Sequence, residues 1–137
     1  MKPTLKPGLK TAARYTIDDS RVAGFMGEGL AVYGTPAMLL DIERTCRLFA
    51  KEHLDDDEDT VGARVELDHL GPALKGSWVE VTAEVVEVDG RRIVFQAEVR
   101  DPTDIVGRAR HVRFAVDKSR QRARLEAKAA RLAGTAT

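Results

Sequence analysis

Thr35, Glu43 and His69 offer a hydroxyl, a carboxylate and an imidazole. Those three groups suffice for acyl transfer to water, in which one moves a proton, one activates or delivers oxygen, and one steadies developing charge. Glu43 poses the sharpest question. Within YGTPAMLLDIERTC (33–46), its neighbours three and four places away on a helix are Leu39, Leu40, Cys46 and Arg47. Three of these are apolar or nearly so, while Asp41, Arg44 and Lys51 centre on a stripe roughly a quarter turn away. A carboxylate turned toward a core needs partners, because desolvating it alone is costly. Either Glu43 sits in a structural ion pair, with Arg47 or a buried arginine such as Arg113, or it has work to do.

The helix that carries Thr35 and Glu43 is well punctuated. Thr35 suits the N-cap and Pro36 the first helical position, where a missing N–H costs nothing. Ala37, Met38, Leu39, Leu40, Ile42, Cys46, Leu48 and Phe49 make it apolar on two sides, which predicts an enclosed helix ending near Glu52. At roughly 1.5 Å per residue, Thr35 and Glu43 stand about 12 Å apart along its axis. Free N–H groups and the positive dipole end at its start can hold an oxyanion. Upstream, KTAARYTI (10–17) reads as a short strand. RVAGFMGEGLAVYG (21–34), with four glycines and no sustained period, reads as a loop with one helical turn. Downstream, the acidic run DDDED (55–59) reads as a solvated loop, and no metal site is expected.

From residue 61 the period becomes two. Val61, Ala63, Val65, Leu67 and His69 share one face, turned to the helix, and Arg64, Glu66 and Asp68 the other. After the loop GPALKG (71–76), WVEVTAEVVEV (78–88) and RRIVFQAEVR (91–100) alternate well and are joined by Asp89-Gly90, a hairpin signal. DPTD (101–104) turns into VGRARHVRFAVDK (106–118). SRQRARLEAKAARLAG (119–134) is helical in propensity, with Leu125, Ala129 and Leu132 in one stripe and Gly134 as its stop. One domain over 1–118 and a helical tail over 119–137 are therefore expected. One strand, a loop, one apolar helix and a four-strand antiparallel meander make an α+β chain. A strongly curved sheet wrapped around that helix is the hotdog fold, here with an extra C-terminal helix. Its uncovered sheet edge and helix flank call for a partner, so a homodimer is expected.

Composition narrows the remaining classes. The chain of 137 residues is 43% hydrophobic and 32% charged, as an ordinary globular domain is. Lysine plus arginine and aspartate plus glutamate both total 22, so no net field recruits nucleic acid or a membrane surface. The single cysteine excludes an internal disulfide and a cysteine-based zinc cluster. No apolar run reaches membrane-span length, and MKPTLKPGLK lacks the apolar core of a secretory signal, so a cytoplasmic location is the default expectation.

Four blocks, VYGTPAMLLDIERTC, VGARVELDHLGPALKG, VEVDGRRIVFQAEVRD and GRARHVRF, resemble successive blocks of the hotdog thioesterases related to fluoroacetyl-CoA thioesterase. The likeness spans about residues 8–117. It implies hydrolysis of an acyl-CoA thioester, with no cofactor beyond the coenzyme A of the substrate. The catalytic threonine of the family matches Thr35, its glutamate eight positions later Glu43, and its histidine His69 in Asp-His-Leu. A glycine before that histidine matches Gly62, and an arginine shortly after a strand histidine matches Arg113; in the family both help hold the acyl group. By this resemblance Glu43 acts as general base or as nucleophile, His69 assists proton transfer, and Thr35 positions the carboxylate or the thioester carbonyl. Strict alternation turns Gly62 away from His69, so a bulge is needed if both line one pocket, and a glycine is a natural place for one. The fluoroacetyl-specific member has bulky aromatic residues in the loop before the helix where this chain has Met26 and Gly29, which implies a broader acyl range.

The other candidates carry plainer readings. Cys46 reads as core packing, His53 as a helix C-terminal cap, and His111 as a structural neighbour of Arg113. Arg120, Arg122, Arg124, Lys128 and Arg131 can contact phosphates of coenzyme A or nucleic acid, but read first as the solvated side of a helix docked on the dimer through Leu125 and Leu132. The alternative to an enzyme is a non-catalytic hotdog module that binds acyl-CoA as a sensor. A hotdog dehydratase pairs histidine and acid in local motifs not found in this chain.

Overall fold

The computed structural model describes residues 1–135. In chain order the elements are β1 (Lys10–Thr16), a 3-10 turn (Asp19–Arg21), β2 (Val22–Ala23), β3 (Val32–Tyr33), α1 (Thr35–Lys51), β4 (Glu58–His69), β5 (Trp78–Asp89), β6 (Arg92–Arg100), β7 (Ile105–Asp117) and α2 (Lys118–Ala133). Five strands form one antiparallel sheet in the order β1-β5-β6-β7-β4, and β2 pairs with β3 in a separate two-stranded ladder. With α1 packed on this sheet, the architecture is the expected hotdog fold with its extra C-terminal helix.

Alternation along a strand reports its faces, not its neighbours, and here the two diverge. Only β5, β6 and β7 form a meander, instead of the expected four strands. The segment 70–77 carries the chain from β4 at one edge to β5 near the other, and β4 pairs with β7. The crossing segment is pinned by Tyr33 N–H to the Ala73 carbonyl (2.8 Å) and Gly76 N–H to the Ile17 carbonyl (2.8 Å). The hairpin between β5 and β6 turns one residue later than expected, on Gly90-Arg91, because Asp89 pairs with Arg92 and Gly90 supplies the positive φ of +58°.

On α1, Met38, Ile42, Cys46 and Ala50 are buried against Val79, Val81, Val85, Ile93, Phe95 and Val99 of the sheet. Leu40 and Leu48 remain 53% exposed, so the helix is covered on one side and not enclosed in a single chain. Its N-cap is Gly34 rather than Thr35. Thr35 is the first helical residue and Pro36 the second, and no side chain caps the start. Asp41, expected on the solvated stripe, is buried. α2 is capped by Asp117, whose Oδ1 accepts from the N–H groups of Ser119 and Arg120 (both 3.0 Å); none of its residues is buried. No helix of the described residues is long and apolar enough to cross a membrane.

The acidic run is not all loop, since β4 begins within it at Glu58. That residue is buried and its Oε2 accepts from Arg91 Nη1 at 2.9 Å. Farther along, Gly62 pairs with Arg113 but Arg64 pairs with Val112, so Ala63 is an extra, bulged residue. The bulge splits the expected inward face. Thr60 and Gly62 point inward before it and Val65, Leu67 and His69 after it, while Val61 and Ala63 are exposed. His111 on β7 braces the kink. Its Nδ1 lies 2.9 Å from the Arg64 carbonyl, and because a carbonyl only accepts, Nδ1 carries the proton.

Burial lowers the proton affinity of His111 below its ordinary 6.5, against a weaker opposing pull from the Arg64 carbonyl. An unfolded chain therefore takes up a proton near pH 6.5 that the folded chain still refuses. The stability from neutral His111 is complete above that pH and is lost as pH falls through the window below it. Thermal unfolding across this range should show a falling Tm on acidification, and His111→Gln should flatten that slope.

Candidate active site

The first half of the site forms where the start of α1 meets the end of β4. Thr35 Oγ1 lies 2.7 Å from His69 Nδ1, so the threonine hydroxyl that was expected to cap the helix bonds the histidine instead. The first helical hydrogen bond runs from Met38 N–H to the Gly34 carbonyl (3.0 Å), and Pro36 has no N–H. This leaves the N–H groups of Thr35 and Ala37 ahead of the helical ladder at the positive end of the dipole, beside the Thr35–His69 pair.

The second half gathers around Glu43. Its Oε2 accepts from Arg113 Nη1 at 3.2 Å and stands 3.9 Å from His111 Nε2. Arg113 is held from several sides: Nε donates to Thr60 Oγ1 (2.7 Å), Nη2 to the Thr60 carbonyl (3.0 Å), and Nη1 also approaches His111 Nε2 (3.2 Å). With its proton on Nδ1, His111 presents a lone pair at Nε2 and so accepts from Arg113. Burial works against the Arg113 charge and lowers its proton affinity, while the Glu43 carboxylate opposes that shift. Glu43 thus has the arginine partner that its helix position demands, yet 36% of its side chain remains open to solvent.

Gly62 completes this half by lacking a side chain. A Cβ there would stand 2.5 Å from Glu43 Oε2 and 3.3 Å from Arg113 Nη1. The bulge at Ala63 turns this glycine to the same side as His69.

The structure brings Thr35 to His69, and Glu43 to Gly62 and Arg113, but it does not bring the two groups together. Eight residues of helix, about 12 Å of axis, separate Thr35 from Glu43 within one chain. Sequence reasoning passed over Thr60 and set His111 aside as structural, although its place two residues before Arg113 on one strand face was a usable signal. Cys46 is buried, and burial pushes its thiol up to about 12, so it stays protonated and inert. His53 caps with its backbone, donating to the Ala50 carbonyl (2.9 Å), while its ring bonds Thr4 Oγ1 (2.8 Å).

The sequence profile of the fluoroacetyl-CoA-specific thioesterases matches residues 17–119. A fluoroacetyl-CoA thioesterase of Streptantibioticus cattleyicolor is 27% identical over 97 residues, covering 71% of this chain and 70% of that protein. Among solved structures, a Thermus thermophilus member of the thioesterase superfamily superposes with a TM-score of 0.89 at 24% identity, covering 98% of this chain and 100% of that one. A fluoroacetyl-CoA thioesterase superposes at 0.82 with 21% identity, over 90% of this chain and 97% of that one. These structural likenesses speak for the fold, and the profile match over most of the chain speaks for the family. The chain belongs to the fluoroacetyl-CoA-specific thioesterase family and is an acyl-CoA thioesterase.

Proposed function

We propose that the enzyme hydrolyses its acyl-CoA thioester at a site shared by two subunits, where Glu43 of one faces Thr35 and His69 of the other. The observation that carries this reading is the division of the site into two halves at opposite ends of β4. Among the described residues the outer edge of β4 pairs with no strand. Antiparallel pairing of two such edges about a twofold at Glu66 sets Val65 opposite Leu67 and Arg64 opposite Asp68. With Ala63 bulged out, Gly62 then falls opposite His69 of the partner subunit. This register keeps inward residues opposite inward residues, as pairing requires. It also carries the carboxylate lying on Gly62 to the partner's Thr35–His69 pair.

In such a site the thioester carbonyl lies beside Thr35, with the N–H groups at the start of α1 taking up oxyanion charge. Glu43 either removes a proton from the attacking water or attacks the carbonyl itself, giving a mixed anhydride that water then opens. In both routes a C–O bond replaces the C–S bond, and His69 protonates the departing thiolate of coenzyme A. Arg113, held by Thr60 and His111, aims the carboxylate. The chemistry draws on side chains and water, with no cofactor. The acyl group extends beyond fluoroacetyl, a reading supported by the loop over residues 24–31. Its Phe25 is 86% exposed, and Met26 and Leu30 also point to solvent rather than closing over Thr35.

A thiol-release assay over short, branched, aromatic and halogenated acyl-CoAs tests the reaction and the range. Glu43→Gln and His69→Ala should each lower kcat by about a hundredfold or more on the best substrate. Gly62→Ala should keep the fold but displace the Glu43 carboxylate, with a loss of similar order. Turnover undiminished in Glu43→Gln and His69→Ala would remove both residues from the mechanism, and turnover confined to fluoroacetyl-CoA would overturn the broader range.

Mixing tests the shared site. Subunits of Glu43→Gln and His69→Ala, each inactive alone, should regain activity when exchanged into mixed dimers, because one of the two sites then has both intact residues. Mixed dimers that stay inactive would place each site within one chain.

A further inference from the structure

One buried carboxylate holds both stems of the loop that precedes the catalytic helix. Asp41 lies on α1, six residues after Thr35, and is 1% exposed. Arg21, at the entrance to the loop, grips it with Nε 3.0 Å from Oδ2 and Nη2 3.1 Å from Oδ1. Tyr33, at the exit, donates its hydroxyl to Oδ2 at 2.7 Å. The stems are also tied to each other by the β2–β3 ladder and by Gly34 N–H to the Arg21 carbonyl (2.8 Å). On the far side Thr45 donates to the Asp41 carbonyl (2.7 Å) and bonds Tyr15 (2.8 Å).

Tyr33 links this clasp to the chemistry. Its side chain is fully buried, and its ring meets the His69 ring at 70°, with centroids 6.3 Å apart. Two residues on, the chain reaches Thr35, the hydrogen-bond partner of His69. A single bond from Nδ1 to Thr35 sets the direction of one ring atom but leaves the imidazole plane free to tilt. The ring packed against it removes that freedom, and the ring is itself fixed by its hydroxyl on Asp41. Burial, with the bond to Asp41 as the second cause, raises the Tyr33 pKa, so the phenol remains a donor at working pH.

We propose that Asp41 is a positioning residue of the active site: through Tyr33 it fixes the plane of the His69 imidazole against Thr35, and through Arg21 it locks the opposite loop stem into the same frame. This inference rests on His69 as the proton-transfer group of the proposed function. It adds three residues, Asp41, Tyr33 and Arg21, that act through others, and a route by which the loop and the catalytic pair are set together.

Tyr33→Phe is the informative variant because it keeps the ring and removes only the bond to Asp41; Asp41→Asn, which keeps shape and removes charge, is the companion. In the full-length protein three quantities are read: kcat and KM by thiol release, Tm, and the 15N shifts of the His69 ring, which report its tautomer ratio. Tyr33→Phe should lower kcat about tenfold with KM within about twofold. It should move the His69 tautomer ratio toward that of free imidazole, and it should add no further loss in a His69→Ala background. A lower Tm with kcat and His69 shifts unchanged would make the clasp merely structural and overturn the proposal, as would a kcat loss that multiplies with that of His69→Ala. The ring shifts need no substrate, so they decide the positioning role even if no acyl-CoA is turned over, an outcome that would sink the hydrolytic reading alone. If Asp41→Asn fails to fold, Tyr33→Phe still separates a positioning role from a merely structural one.

Discussion

The extra residue at Ala63 is the constraint on which the site depends. A regular strand would turn Gly62 and His69 to opposite faces, because side chains alternate with a period of two. With Ala63 bulged, both face α1, and the Glu43 carboxylate can lie directly on the Gly62 backbone. The kink is fixed by side-chain chemistry rather than left to strand flexibility. His111 donates to the Arg64 carbonyl just beyond the bulge, and Arg113 spans from Thr60 just before it to Glu43 on the helix. Strand geometry, the histidine tautomer and the aim of the carboxylate are thus parts of one arrangement. Each would lose its partner if β4 ran straight.

Of the three arginine–carboxylate pairs that anchor α1, Arg47–Asp59 is exposed on its arginine side, and Arg21–Asp41 and Arg113–Glu43 differ in what they leave open. Arg21–Asp41 is closed: the carboxylate is almost fully buried, and both of its oxygens are occupied by Arg21 and Tyr33. Arg113–Glu43 inverts this, with the arginine buried and the carboxylate partly exposed. Buried pairs contribute little net stability against well-packed apolar residues, yet removing one partner costs about 3–5 kcal/mol because the other charge is stranded. The first pair therefore acts as a rigid clasp. The second is a presented group, with its counterion on the inside and part of its carboxylate facing outward.

Much of this was legible in the sequence, for identifiable reasons. The period of two from residue 61 and the apolar helix at 35–51 were enough for the hotdog architecture, since a single such helix leaves few ways to be covered. The need of Glu43 for a partner followed from its helix neighbours, with Arg113 among the named options. Other features were hidden because they depend on contacts distant in sequence. Pairing of β4 with β7 rather than β5 cannot be read from faces alone. Asp41 looked solvated because it shares a charged stripe of its helix with Arg44 and Lys51; its actual partners, Arg21 and Tyr33, arrive from a glycine-rich loop without periodicity. Thr35 looked like a cap because the cap signature ignores what a hydroxyl can find on another strand. The family resemblance named Gly62, and the bulge explains how a residue of the wrong parity turns to the same side as His69 and meets the Glu43 carboxylate.

The surfaces left open by the single chain are consistent with one another. Leu40 and Leu48 on the uncovered side of α1 are half exposed, and β4 ends the sheet with an unpaired edge. Such an edge invites unselective pairing unless it is defended, and its outward residues Arg64, Glu66 and Asp68 are all charged. Arg64 already pairs with Glu66 in its own strand, both exposed, so this contact adds little to stability. In the proposed pairing about Glu66, each Arg64 falls opposite an Asp68, and the two glutamates at the axis are flanked by arginines. A slip of one residue would turn inward faces outward, whereas a slip of two keeps the parity and can set Arg64 opposite Glu66, so charge alone does not fix the alignment. Parity thus excludes the odd slips, and among the even ones only the twofold at Glu66, with Ala63 bulged, would set Gly62 opposite the partner's His69 and complete the proposed site.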